Sequence, residues 1–132
     1  MIILEEWFKQ KKVKVPKAYL DKFRIETDVC RNSIKESLPM SGVVAYVNGL
    51  PVGFSLGGEH SKSCFNCMFE KTDLSYDGLS VFVFSELAEM LKNKYNLINA
   101  GEDWGIPYLK VAKLKWQPIQ IQNSYQLYRC SI

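Results

Sequence analysis

Eight polar residues in two short stretches have the types needed for group-transfer chemistry. The first stretch is "FEKTD", with Glu70 and Lys71 side by side. The second is "INAGEDWGIPYLKVAKLKW", with Asn99, Glu102, Asp103, Tyr108, Lys110 and Lys113. Glu70, Glu102 and Asp103 are candidate general bases, and Tyr108 is a candidate proton donor. Asn99, Lys71, Lys110 and Lys113 are candidates for holding substrate. On a helical wheel of about 100° per residue, Ile106, Leu109, Ala112 and Trp116 share one arc, and Lys113 falls within it. A lysine inside an apolar arc needs a carboxylate or a route to water. Two readings stay open: an internal ion pair with Glu102, Asp103 or Glu70, or a charged cluster facing a substrate, since perturbed charges gather in functional clefts.

The four cysteines are Cys30, Cys64, Cys67 and Cys130, and the one histidine is His60. "CFNC" resembles half a zinc site, but no second pair follows at usable spacing. In a strand, positions three apart face opposite sides, so Cys64 and Cys67 are expected to hold neither a metal nor a disulfide. A redox pair would favour a helix start. Small buried or half-buried thiols are the expectation.

The elements that position these residues follow from pattern. The chain has 132 residues, 47% hydrophobic and 23% charged, with a formal net charge of +3. That fits one globular domain, residues 1–132. The only basic cluster, "KQKKVKVPK" from Lys9 to Lys17, reads as a solvated edge rather than a nucleic-acid arm. No run of about 18 apolar residues is present to span a bilayer. The opening "MIILEEWFKQ" does not have signal-peptide character, so the cytoplasm is the expected location.

Leu4 to Phe8 is expected as a short helix or an extended lead-in, and "PKAYLDKF" as a helical turn. "TDVCRNSIKESL" predicts a helix capped by Thr27 or Asp28, with Cys30, Ile34 and Leu38 on its buried face and Pro39 after it. "GVVAYVNGLPVGFSLGG" predicts a β-hairpin about Asn48-Gly49, with Gly53 and Gly57 marking bulges or close backbone contacts. "SCFNCMFEK", apolar on both faces until Glu70, predicts a central strand. "YDGLSVFVFSELAEMLKNKY" predicts a helix capped by Asp77, with Leu79, Val83, Leu87 and Leu91 or Met90 buried. "YNLINA" is a short strand, and Trp104 to Trp116 a helix with Pro107 in its first turn. "QPIQIQNSYQLYRC" predicts one or two final strands. The order is helix, β-β-β, α, β, α, β: an α+β fold with a mixed, mostly antiparallel sheet flanked by helices.

On these residues the chain resembles the C-terminal domain of bacterial phosphatidylglycerol lysyltransferases and their uncharacterised relatives. That family shows Glu-Lys-Ala-Asp, a Lys-Gly helix start, Ile-Asn-Arg-Glu-Glu-Asp-Leu-Gly, Leu-Arg-Lys-Ala-Lys and a terminal Pro strand. The matching positions are Glu70, Lys71, Asp73, Gly78, Ile98, Asn99, Glu102, Asp103, Gly105, Pro107, Leu109, Ala112, Lys113 and Pro118, across about half the chain. Lys110 stands where the family has Arg, and Ala100-Gly101 replaces Arg-Glu. Arg makes forked contacts that Lys cannot.

The resemblance implies a GNAT-like acyltransferase fold, with this chain corresponding to the second of two tandem units and the first unit as a partner. It implies transfer of an acyl or aminoacyl group, from acyl-CoA or aminoacyl-tRNA, to an amine or hydroxyl. The competing reading is a non-catalytic ligand- or partner-binding module of the same fold. Acetyl-CoA-dependent GNAT enzymes carry an Arg/Gln-x-x-Gly-x-Gly/Ala phosphate loop before the main helix. Here that loop is "TDLSYDG", with Asp73, Asp77 and one glycine. Asp77 is expected to cap the helix amides that a phosphate would need, which favours aminoacyl-tRNA over acetyl-CoA.

Overall fold

The structure, a computed structural model, describes residues 2–131, which fall into two compact units, one up to Gly101 and one from Glu102. The first unit holds α1 (Ile2–Lys14), α2 (Lys17–Lys35), β1 (Ser41–Val47), β2 (Leu50–Ser61), β3 (Cys64–Thr72), α3 (Leu79–Leu91) and β4 (Leu97–Asn99). The second holds α4 (Pro107–Leu114). The sheet order is β1-β2-β3-β4, with β1, β2 and β3 antiparallel and β4 parallel to β3. The expected mixed, mostly antiparallel α+β sheet is present.

The hairpin forms where Asn48-Gly49 allows it. Both residues have positive φ, 50° and 78°, the backbone that matches strand twist in a two-residue turn. Gly57 is required by space: a Cβ there would lie 1.9 Å from the Asn66 carbonyl oxygen on β3.

α3 packs on one face of the sheet. Its buried stripe is Leu79, Val83, Leu87 and Leu91, one residue per turn. Leu87 and Leu91 meet Phe65, Cys67 and Tyr95, while Leu79 and Val83 meet Val52. Each such Leu or Phe contributes about 1.5–3 kcal/mol when fully buried. On the opposite face, Leu4 of α1 and Cys30 of α2 pack on Phe54 and Phe69, and Trp7 meets Phe23 edge-on at 5.4 Å.

Four expectations need correction. α1 is a full helix of 13 residues rather than a short lead-in. α2 begins at Lys17, ten residues before Thr27, because nothing between Pro16 and Thr27 breaks a helix. Thr27 is therefore interior, its hydroxyl donating to the Phe23 carbonyl at 2.7 Å. The buried face is Phe23, Thr27, Cys30 and Ser33, and Ile34 remains 40% exposed. α3 is preceded by Gly78 at φ 77°, with no side-chain cap hydrogen bond. The left-handed step at Gly78 takes the place expected for Asp77. Finally, residues 117–131 carry no strand. Among the described residues no helix is long and apolar enough to cross a membrane.

Candidate functional site

β3 sets the direction of every polar group along it. Leu56 of β2 faces Phe69, and Gly57 faces Cys67. Met68 is thus an extra residue, a bulge that resets the strand's alternation. Before it, Phe65 and Cys67 face α3; after it, Phe69 faces α1 and α2. The bulge therefore turns Lys71 toward α1 and α2, and Glu70 toward α3.

Lys71 is 4% exposed, and its ammonium lies 2.9 Å from Glu26 of α2. It also sits 4.1 Å above the Trp7 ring of α1, a cation–π contact. Expected to hold substrate, Lys71 instead joins β3 to both helices. Cys30, in the same layer, has its thiol pushed up to about 11 by burial, with the Lys71 charge opposing in part.

Glu70 is half-buried and accepts a 2.5 Å hydrogen bond from the Ser80 hydroxyl of α3. It borders a parting in the sheet. β3 and β4 pair only as Cys64–Leu97, Phe65–Ile98 and Asn66–Asn99. Beyond Asn66, β3 continues to Thr72, past the last residue that β4 pairs with. This parting lies at the carboxyl end of β4 and along the carboxyl half of β3, and open α/β sheets bind ligands at strand carboxyl ends. Asn99 ends β4 there, exposed, its side-chain oxygen accepting from the Gly101 amide at 2.9 Å.

The loop between β3 and α3 is internally tied. The Leu74 amide donates to Gln10 of α1 at 2.7 Å, and the Ser75 amide donates to Asp73 at 2.9 Å. The Tyr76 amide donates to the Asp73 carbonyl, and the Leu79 amide to the Tyr76 carbonyl. Asp73 also accepts from the Ser75 hydroxyl at 2.6 Å and from Gln10 at 2.8 Å. The Ser75 hydroxyl, then Gln10 and the Ser75 amide, hold the Asp73 carboxyl below its ordinary range. Four amides of this loop are thus engaged within the first unit, beside the Asp73 carboxylate.

In the second unit, Asp103 accepts from the Gly105 amide at 2.8 Å and tightens a turn through Trp104 and Gly105, at φ 53° and 71°. The helix expected from Trp104 starts only at Pro107, after Ile106 as N-cap. Glu102 accepts from Ser124 at 2.8 Å. Ile106 is buried, and Leu109 and Lys113 are half-buried in line with it; Tyr108, Lys110, Ala112 and Trp116 are exposed. Glu70, Lys71 and Asn99 thus belong to one unit, and Glu102, Asp103, Tyr108, Lys110 and Lys113 to the other.

All four cysteines are free, with Cys30 and Cys67 buried. Cys67 lies 3.2 Å from the buried Ser55 hydroxyl. Among the described residues, no group of three or more His, Cys, Asp or Glu is placed to hold a metal ion.

Glu26, Trp7, Gln10 and Ser80 were not singled out from sequence. One signal was present: a lysine two residues past Phe69, in a strand apolar on both faces, needs a buried acid.

Solved structures of acetyltransferases share this chain's GNAT-like fold. Aminoglycoside N-acetyltransferase AAC(6')-Iy, in complex with a bisubstrate analogue, aligns at TM-score 0.54 and 13% identity, over 98% of this chain and 92% of its own. A predicted acetyltransferase with acetyl-CoA from Clostridium acetobutylicum aligns at TM-score 0.51 and 11% identity, over 97% and 88%. These two likenesses define the fold. The family model "Phosphatidylglycerol lysyltransferase, C-terminal" matches residues 2–128, and the chain belongs to that family. A conserved protein of unknown function from Bacteroides thetaiotaomicron is 30% identical at TM-score 0.72, over 89% of this chain. This chain spans 39% of that protein's length. No curated protein matches this chain.

Proposed function

We propose that this chain is the second GNAT-like unit of an aminoacyltransferase, acting with a first unit as partner. It moves an aminoacyl group from aminoacyl-tRNA to an amine or hydroxyl acceptor. The observation that carries the reading is the parting of β3 and β4 beyond Asn66 and Asn99, with Glu70 beside it. The acidic loop before α3 favours a tRNA ester over coenzyme A, because the Asp73 and Asp77 carboxylates oppose a pyrophosphate at the helix start. Such a donor puts the reaction in the cytoplasm.

The acceptor oxygen or nitrogen attacks the ester carbonyl, and Glu70 takes its proton. The carbonyl oxygen carries the negative charge of the tetrahedral intermediate. The ester C–O bond then breaks, and the ribose oxygen leaves with a proton from solvent. Glu70 returns its proton to solvent. Asn99 orients the acceptor. Lys71 is a positioning residue, acting through β3.

A lysyl-tRNA transfer assay with phosphatidylglycerol vesicles tests this, beside thermal shifts with lysyl-tRNA, coenzyme A and acyl-CoAs. A ligand at 100 times its Kd stabilises by roughly 2.7 kcal/mol. The expected result is a shift with lysyl-tRNA, transfer to lipid, and loss of transfer in Glu70→Gln with the shift kept. A shift without transfer supports the binding-module reading instead. A shift only with coenzyme A or acyl-CoA overturns the tRNA assignment.

A further inference from the structure

Ser80 uses its hydroxyl in an unusual way for a serine at a helix start. There the side chain ordinarily turns back to the backbone, yet α3 has no side-chain cap hydrogen bond. The Ser80 hydroxyl instead leaves its own helix and donates to Glu70 Oε1 of β3 at 2.5 Å, across ten residues of chain. That length falls within the range of charge-assisted O–H···O bonds. The fold aims it. Gly78, at φ 77°, starts α3 directly after the loop. Leu79, the residue before Ser80, is buried with Val83 against Val52, which fixes the roll of α3 on the sheet. Glu70 lies opposite Ser55 of β2 in the register, behind the Met68 bulge. Ser80 itself is exposed, so water can replace this bond and it contributes little to stability. The packing of α3 does not need it.

We propose that Ser80 is a positioning residue for Glu70: its hydroxyl holds Oε1 and so directs Oε2 at the proton of the attacking acceptor. The proposal rests on the reading of Glu70 as the general base. A glutamate carboxylate sits on a flexible stem and samples several rotamers. A donor on a packed helix removes that freedom more firmly than one on a loop. Ser80 touches neither acceptor nor ester, so its loss falls on the chemical step and leaves binding alone.

The test is transfer from lysyl-tRNA to phosphatidylglycerol vesicles by the full chain. Ser80→Ala should lower kcat by about 10- to 100-fold with KM for lysyl-tRNA unchanged. Ser80→Thr keeps the hydroxyl and should restore most of the rate. Both variants should melt at the parent's temperature. In Glu70→Asp the carboxylate is one methylene shorter and draws back from Ser80, so adding Ser80→Ala there should bring no further loss. Four results would overturn the role of Ser80 alone: an unchanged kcat in Ser80→Ala, a Thr variant no better than the Ala variant, a rise in KM without a fall in kcat, or a loss that repeats in full on Glu70→Asp. Two others would overturn the base reading and this proposal with it: a parent chain that transfers nothing, or transfer that survives Glu70→Gln.

Discussion

Lys71 illustrates how a residue typed for chemistry becomes a structural centre. A buried ammonium is costly unless paired, and the Glu26 carboxylate together with the Trp7 ring offsets that cost. Glu26→Gln should therefore destabilise by roughly 3 kcal/mol, because it leaves a charge buried without its partner. The double variant Lys71→Met/Glu26→Gln should return to within about 1 kcal/mol of the parent. Urea unfolding of both variants measures this, and equal losses in the two would remove the pair from the account. Cys30 provides a second check. Its thiol is raised to about 11 from 9.0. Below pH 9 both folded and unfolded chains keep the proton, so the contribution is fully present. Between pH 9 and 11 the unfolded chain loses its proton first, and stability falls by up to about 1.4 kcal/mol per pH unit. Cys30→Ala should lack this part of the alkaline slope when unfolding is followed across that window.

At the scale of elements, the sheet depends on the bulge at Met68 and the close approach at Gly57. Gly57→Ala would put a Cβ against the Asn66 carbonyl, and should cost roughly 2 kcal/mol or more by displacing β2 from β3. Denaturant unfolding checks it. The loop after β3 is held by Asp73, whose carboxyl is lowered. A lowered carboxyl stabilises above the ordinary value and loses that contribution as pH falls through the folded value. Asp73→Asn should therefore flatten the acid limb of the stability profile, as measured by thermal melts from pH 7 to pH 2.

These elements were unequally legible in the sequence. The hairpin and the α3 stripe could be read because Asn48-Gly49 and the four-residue spacing are local signals. The start of α2 was hidden because its buried face mixes Phe23 with Thr27, Cys30 and Ser33, so apolar periodicity is weak there. The Met68 bulge has no composition signal. It arises from pairing with β2, and it decides which face Glu70 takes and which face Lys71 takes. The tail reads as a strand by pattern, but a strand also needs an edge, and sequence does not show which edge is free.

For the whole molecule, the central claim is that the parting of β3 and β4 receives an aminoacyl ester. Its most direct test is amide exchange along β3, followed by mass spectrometry with lysyl-tRNA, uncharged tRNA or coenzyme A present. The account predicts slowed exchange at Cys67 to Glu70 with lysyl-tRNA and little change with the other two. Unchanged exchange there with lysyl-tRNA, or equal slowing by coenzyme A, would contradict it.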